Sequence, residues 1–309
     1  MSNSNLNFGQ RIMLEAVWFC CRVVAILPHW FRYYILADIV YFLTYRCFRY
    51  RVKVVRQNLK NSFPELSDKE RAKICRKFYH YLSEVGISTI SLAGGDPSKT
   101  VLRNVEQQQI YKLKEITAGQ SWVALTAHYG LWEYLGFWGD CANQALIAVY
   151  HPLRNKVFGE LFERLRIFKN VEVVAIKDTI RYCLEHQDGI NGMNYILGLI
   201  ADQNPPRRPN SKWFTFLNQE TIFFDGGEKI ALKLKLPVYF IYQKRVGRGR
   251  YEFGYELIHD GVESVEPYEI TRRYVEKLEA VIRANPHLWL WSHRRWKHNP
   301  KKWNQTKRY

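Results

Sequence analysis

Two short stretches carry most of the side chains able to move a proton. In Ala124-Leu125-Thr126-Ala127-His128-Tyr129-Gly130-Leu131-Trp132-Glu133 an apolar run stops at a histidine, and a carboxylate follows five residues later. In Ile200-Ala201-Asp202-Gln203-Asn204-Pro205-Pro206-Arg207-Arg208 a second apolar run stops at Asp-Gln and opens into a Pro/Arg loop, which suits a substrate lip or a turn capped by Asp202. A carboxylate that fixes an imidazole's tautomer leaves the other ring nitrogen free to take a proton from an alcohol. The first stretch therefore reads as an acyl-transfer site, with His128 as general base, Glu133 orienting it and N–H groups near Gly130, or a nearby cation, facing the developing oxyanion. No Gly-x-Ser-x-Gly elbow occurs, consistent with direct attack by the acceptor hydroxyl. Spacing alone proves nothing: with nine His and 29 Asp+Glu, a carboxylate at +5 should arise about once by chance.

Geometry constrains the elements around His128. Residues five apart on a helix are rotated by roughly 140°, so His128 and Glu133 meet only if His128 lies on a strand-to-helix loop. Trp122 to Thr126 suits a buried strand, Gly130 a turn and Leu131 to Trp138 a helix. Further apolar runs predict strands at Ala145 to Tyr150, Val171 to Ile176, Tyr195 to Ala201 and Val238 to Gln243, with helices near 130 to 141, 155 to 168, 177 to 187 and 226 to 236. That alternation predicts an α/β fold with a central, mostly parallel sheet covered on both faces. Sites in such sheets collect at the carboxyl ends of strands, where His128 and Asp202 both fall. Gly226-Gly227, opening a helix, is a weak anion-site signal.

The chain is organised as a helical region over 1 to 97, a catalytic α/β unit over 98 to 292 and a basic, Trp-containing tail over 293 to 309. Residues 1 to 10 lack the basic start and cleavage site of a signal peptide. Met13 to Leu27 and Trp30 to Phe48 are apolar and aromatic but interrupted by charges such as Arg22 and Asp38, and Pro28 separates them. They predict a helical hairpin lying in or dipping into a bilayer surface, with one tilted span as the alternative. Arg46, Arg49, Arg51, Lys53, Arg56 and Lys60 follow with no acid among them, as on a cytoplasmic membrane flank. Ser67-Asp68-Lys69-Glu70 has capping-box spacing and predicts a helix to about Leu92. After a predicted helix from Ile270 to Arg283, the segment His293 to Tyr309 holds seven Lys or Arg and no acid.

The balance of 46 Lys+Arg against 29 Asp+Glu, net +17, calls for an acidic partner. A nucleic-acid-binding module leaves His128, Glu133, Asp202 and Gln203 unexplained, so no nucleic acid is expected. Six cysteines without C-x-x-C spacing fit reduced, cytosol-facing use, and His287, His293 and His298 lack the partners of a zinc site.

Four motifs in order resemble one family. Arg51-x-x-Val54-Val55-x-x-Asn58-Leu59-x-x-Ser62-Phe63-Pro64-Glu65, then His128-x-x-x-x-Glu133, then Ala201-Asp202-Gln203, and finally Leu278-Glu279-x-x-Ile282-Arg283-x-Asn285-Pro286 with Trp289-x-Trp291-x-His293-Arg294-Arg295-Trp296-Lys297 are similar to the bacterial lipid A biosynthesis acyltransferases, within the lysophospholipid acyltransferase superfamily. The resemblance implies an acyltransferase-like three-layer α/β/α fold on the cytoplasmic face of the bacterial inner membrane. The implied reaction moves a fatty acyl chain from acyl-carrier protein to a hydroxyl of a phosphorylated lipid A precursor, with no cofactor. It implies catalytic roles for His128 and Glu133 and substrate-binding roles for Gly130, Arg166, Asp202 and Gln203, Arg166 matching an arginine after the catalytic helix. Leu131 stands where the family commonly has Asn, and Leu217-Asn218 where it usually has Phe-Gly. Acceptor and chain length are the features those departures touch, and another lipid acceptor, such as a lysophospholipid, amino-acid lipid or glycolipid, is the alternative.

Overall fold

The computed structural model describes residues 6–106, 108–150, 155–166, 168–206 and 211–297. Arg207 and Arg208 of the expected lip, His298, and the tail from 298 onward lie outside the described residues.

Five strands run parallel, the middle ones as continuous apolar runs, and helices cover the sheet. The strands are β1 (Val105–Glu106), β2 (Trp122–Thr126), β3 (Ala145–Tyr150), β4 (Val171–Ala175), β5 (Tyr195–Ile200), β6 (Trp213–Phe216), β7 (Gln219–Ile222), β8 (Val238–Gly247) and β9 (Arg250–His259). A mixed, mostly parallel seven-stranded sheet takes the order β1-β9-β8-β2-β5-β3-β4, with β8 and β9 antiparallel, and β6 and β7 form a separate hairpin. Every residue of β2 is buried between its parallel neighbours β5 and β8.

Helices α1 (Phe8–Ile26), α2 (Ala37–Tyr41), α3 (Val52–Ser62) and α4 (Asp68–Ser91) form the N-terminal layer, and π-helical turns at Phe31–Leu36 and Phe42–Cys47 extend α2 on either side. The expected capping box opens α4: the Glu70 N–H donates to Ser67 Oγ and the Ser67 N–H to Glu70 Oε2 at 2.8 Å. Around the sheet follow α5 (Pro97–Asn104), α6 (Gln108–Ile116), α7 (Phe137–Ala142), α8 (Lys156–Leu165), α9 (Thr179–Glu185), α10 (Gly226–Leu234) and α11 (Glu269–Ala284). The apolar hairpin expected at the N-terminus is a pair of helical segments bent by 115°; among the described residues no single helix is long and apolar enough to cross a membrane. One side of the pair packs on α4, with the buried Tyr33 hydroxyl on Ser88 Oγ at 2.8 Å. The other side leaves Phe8, Phe19, Ile26, Trp30, Phe42 and Phe48 exposed.

Gly227 serves packing: a Cβ there would stand 2.8 Å from Leu125 and 2.9 Å from Leu199, so glycine lets α10 close onto β2 and β5. At the family's Phe-Gly position, Leu217 and Asn218 form the two-residue β6–β7 turn, both left-handed at φ 50° and 62°.

Candidate active site

The register of β2 on β5 assembles the centre. Trp122 pairs with Ile196 and Thr126 with Ile200, and the Ala201 N–H continues the ladder to the Thr126 carbonyl at 3.0 Å. The same offset carried two residues past the paired ends sets His128 opposite Asp202. There His128 Nδ1 lies 2.7 Å from Asp202 Oδ1, and the His128 backbone N–H donates to Oδ2 at 3.1 Å. The Trp289 indole N–H also donates to Oδ2, at 2.7 Å. Burial pushes the Asp202 carboxyl up, but the facing imidazole and these donors outweigh it and hold the group below its usual range. An ionised carboxylate only accepts, so Nδ1 carries the ring hydrogen and Nε2 keeps its lone pair. That lone pair faces the Gln203 side-chain amide nitrogen at 3.0 Å.

Glu133 does something other than expected. Beyond Gly130 the chain forms a 3₁₀ turn, Trp132–Gly136, before α7 rather than an α-helix from the start. Glu133, at its first turn, is taken bidentately by Arg166 at 2.6 and 2.8 Å and by the Trp132 indole N–H at 3.1 Å. Trp132 lies edge-on to the His128 ring, with centroids 5.3 Å apart, and so separates the two carboxylates' roles. The carboxylate in contact with the His128 ring is Asp202, read from sequence as substrate-binding, and Glu133 is bonded to Arg166 instead. Arg166, half-exposed at the end of α8, presents the cation of this rim.

Gly130 is the turn itself. Its φ is +69°, and a Cβ there would sit 2.6 Å from Gln243 Oε1. Its N–H donates to the Leu288 carbonyl at 3.1 Å and its carbonyl accepts from the fully buried Tyr81 hydroxyl at 2.8 Å. Gln243 on β8 clasps Leu131 through both backbone groups, its amide donating to the Leu131 carbonyl at 3.1 Å and its oxygen accepting the Leu131 N–H. The Tyr129 N–H goes to the Ala127 carbonyl at 2.7 Å. The N–H groups of 129 to 131, expected to face an oxyanion, are thus engaged in holding the loop.

The start of the aromatic and basic C-terminal segment is part of the site. Leu290 donates its N–H to the His128 carbonyl at 3.1 Å, and Trp289 forms an antiparallel bridge with Tyr129. Asn204 Nδ2 meets His293 Nε2 at 3.0 Å, and burial lowers the His293 pKa to about 4. Arg295 is only 2% exposed, its guanidinium on the Asn204 side chain, the Ile222 carbonyl and the Phe223 ring. Burial lowers its pKa to about 10, against the opposing pull of Asp202. Sequence set His128 and Asp202 each at the end of an apolar run but did not pair them; the matched termination of the two runs, at Ala127-His128 and Ala201-Asp202, is the signal that pairs them. Among the described residues no His/Cys/Asp/Glu cluster has metal-binding geometry.

The model of the family described as bacterial lipid A biosynthesis acyltransferase matches residues 5–298. The chain is 25% identical over 268 residues to the lipid A biosynthesis lauroyltransferase of Escherichia coli strain K12, which spans 84% of this chain and 83% of that protein. The crystal structure of the 1-acyl-sn-glycerophosphate acyltransferase from Thermotoga maritima aligns over 91% of this chain and 99% of its own, at 16% identity and a TM-score of 0.35.

Proposed function

Because the chain belongs to the bacterial lipid A biosynthesis acyltransferase family, we propose that this acyltransferase takes its acyl group from an acyl-carrier-protein thioester, with His128 as general base and Asp202 as the partner of that base. The observation that carries the mechanism is the 2.7 Å contact between Asp202 Oδ1 and His128 Nδ1. An alcohol is too weak an acid to attack at neutral pH unaided, so the acceptor hydroxyl replaces the Gln203 amide at Nε2 and gives up its proton there as its oxygen attacks the thioester carbonyl. The tetrahedral intermediate collapses by breaking the C–S bond, and the imidazolium proton goes to the departing thiolate. Atoms balance as thioester plus alcohol giving ester plus thiol, with no covalent enzyme intermediate.

The surroundings fit both substrates. Carrier proteins and phosphorylated lipid precursors are acidic, and this chain carries a net charge of +17. Arg166, held by Glu133 on the rim, has the charge to meet an acceptor phosphate. The uncovered side of the N-terminal helices suits a lipid surface: each large apolar side chain there is worth roughly 1.5–3 kcal/mol when removed from water. This face, the basic run after it and the reduced cysteine pattern support a cytoplasm-facing inner-membrane location.

The test is to incubate purified protein with acyl-carrier-protein thioesters of several lengths and a tetra-acylated lipid A precursor, then weigh the product. One added acyl chain is expected, lost by about 10²- to 10⁴-fold in His128→Ala. A precursor of unchanged mass, with acylation of an added lysophospholipid or glycolipid instead, overturns the acceptor assignment. A His128→Ala enzyme at wild-type rate overturns the base.

A further inference from the structure

From the placement of the segment after α11, we infer that Trp289 is a positioning residue for the reaction, acting through Asp202 on the base. The inference rests on the reading of Asp202 as the partner of His128. Trp289 is 2% exposed, an indole buried for its ring that nonetheless spends its one N–H on a carboxylate. Its neighbours hold it on both sides: Leu288 accepts from Gly130 and Leu290 donates to His128, so the backbone of 288 to 290 is stitched to the catalytic loop. The ring itself is walled by Phe216, Trp291 and Trp296 at centroid distances of 5.8, 4.8 and 5.9 Å.

The consequence is geometric and electrostatic. Asp202 Oδ2 accepts two donors, Trp289 Nε1 and the His128 N–H, which fixes the carboxylate plane and leaves Oδ1 turned to the imidazole. Remove the indole donor and only the two contacts from His128 itself remain on the carboxylate, so it turns more easily about its Cβ–Cγ bond. The ring hydrogen on Nδ1 then loses its fixed acceptor, and Nε2 its aim. At 2% exposure Trp289 presents almost no surface to a substrate, so KM is expected to hold while kcat falls. A hydrogen bond to a charged group supplies enough energy for an effect of about tenfold.

The experiment is a double-mutant cycle on the full chain, assayed by acyl transfer from a carrier-protein thioester to the tetra-acylated precursor. Trp289→Phe keeps most of the ring and removes the donor; kcat is expected to fall about tenfold with KM within about twofold. In an Asp202→Asn background the same change should cost less than about twofold, because the relay it serves is already broken. An equal loss in both backgrounds overturns the inference and leaves Trp289 as packing only. So does a rise in KM at constant kcat, or no loss at all. If Asp202→Asn itself leaves kcat unchanged, the Asp202 reading falls and this inference with it, which separates the two failures. A measurement on chains that keep Trp289 guards against a misfolded Phe variant: of the ten indole N–H resonances, one should lie downfield in the wild type and move upfield in Asp202→Asn. No such movement overturns the inference as well.

Discussion

Asp202→Asn is the sharpest perturbation of the site, because its effect can be worked atom by atom. Trp289 Nε1 and the His128 N–H both donate to Oδ2, so an asparagine at 202 must place its carbonyl oxygen there. Its NH₂ then occupies the Oδ1 position, 2.7 Å from Nδ1. Two N–H groups cannot face each other, so Nδ1 must become the acceptor and the ring hydrogen moves to Nε2. The nitrogen to which the proposed mechanism gives the hydroxyl proton is then already protonated. A tautomer inverted in this way costs on the order of 10³- to 10⁴-fold in kcat, about 4–5.5 kcal/mol of transition-state stabilisation. Glu133→Gln makes the informative contrast. It weakens the bidentate hold on Arg166 and leaves the His128–Asp202 contact alone, so activity falls through Arg166 with the ring tautomer unchanged. Rates and ¹⁵N-histidine spectra together decide: Asp202→Asn should exchange the pyrrole-like and pyridine-like nitrogens of His128, and Glu133→Gln should not. The reverse pattern, exchange in Glu133→Gln and a wild-type tautomer in Asp202→Asn, refutes the assignment of the two carboxylates.

Two further outcomes are expected. Gly130→Ala forces a side chain into left-handed backbone, worth about 1–2 kcal/mol, and pushes Gln243 off Leu131, so both the thermal midpoint and kcat should fall; a fully active Ala variant refutes the role of the turn. Burial lowers the pKa of His287 and His293 from 6.5 to about 4, so between those values the unfolded chain binds more protons and stability falls as pH drops from 6.5 toward 4. Asp202, depressed below its ordinary value, adds a further loss at still lower pH. Urea titrations across this range should show a shallower fall for His287→Gln/His293→Gln than for the wild type, and equal falls would refute the histidine origin.

The parallel strands were legible because burial on both faces writes them as continuous apolar runs. Trp122 to Thr126 and Ala145 to Tyr150 match β2 and β3 to the residue, and Tyr195 to Ala201 overruns β5 by one. Strand β9 was not, since Arg250–His259 mixes Glu, Gly and Tyr in a long hairpin whose pairing with β8 supplies what its own pattern lacks. His128 and Asp202 were each legible as strand-end residues. Their partnership was not, because it is fixed by a register between segments 74 residues apart. The local spacing to Glu133 was visible and pointed to the wrong carboxylate for the ring. Arg295 shows the same limit: in sequence it is one cation among seven in a basic end, and only tertiary packing takes it out of water.

The two carboxylates differ in what their partners allow. Glu133 faces a guanidinium, which keeps its charge at every pH at which the protein is folded, so that pair is a fixed strut and cannot answer a proton transfer. Asp202 faces an imidazole, whose charge changes within the proposed reaction, and its other oxygen is held by neutral N–H donors rather than a full cation. A carboxylate already neutralised by arginine would gain little from an imidazolium forming beside it. One held only by neutral dipoles gains the whole new interaction at the moment the hydroxyl proton arrives. The buried Arg295 lies close enough for Asp202 to raise its pKa, yet its hydrogen bonds go to Asn204 and the Ile222 carbonyl rather than to the carboxylate. The charge on Asp202 therefore stays available to His128, which is the condition the proposed mechanism sets for Nε2 to act as a base.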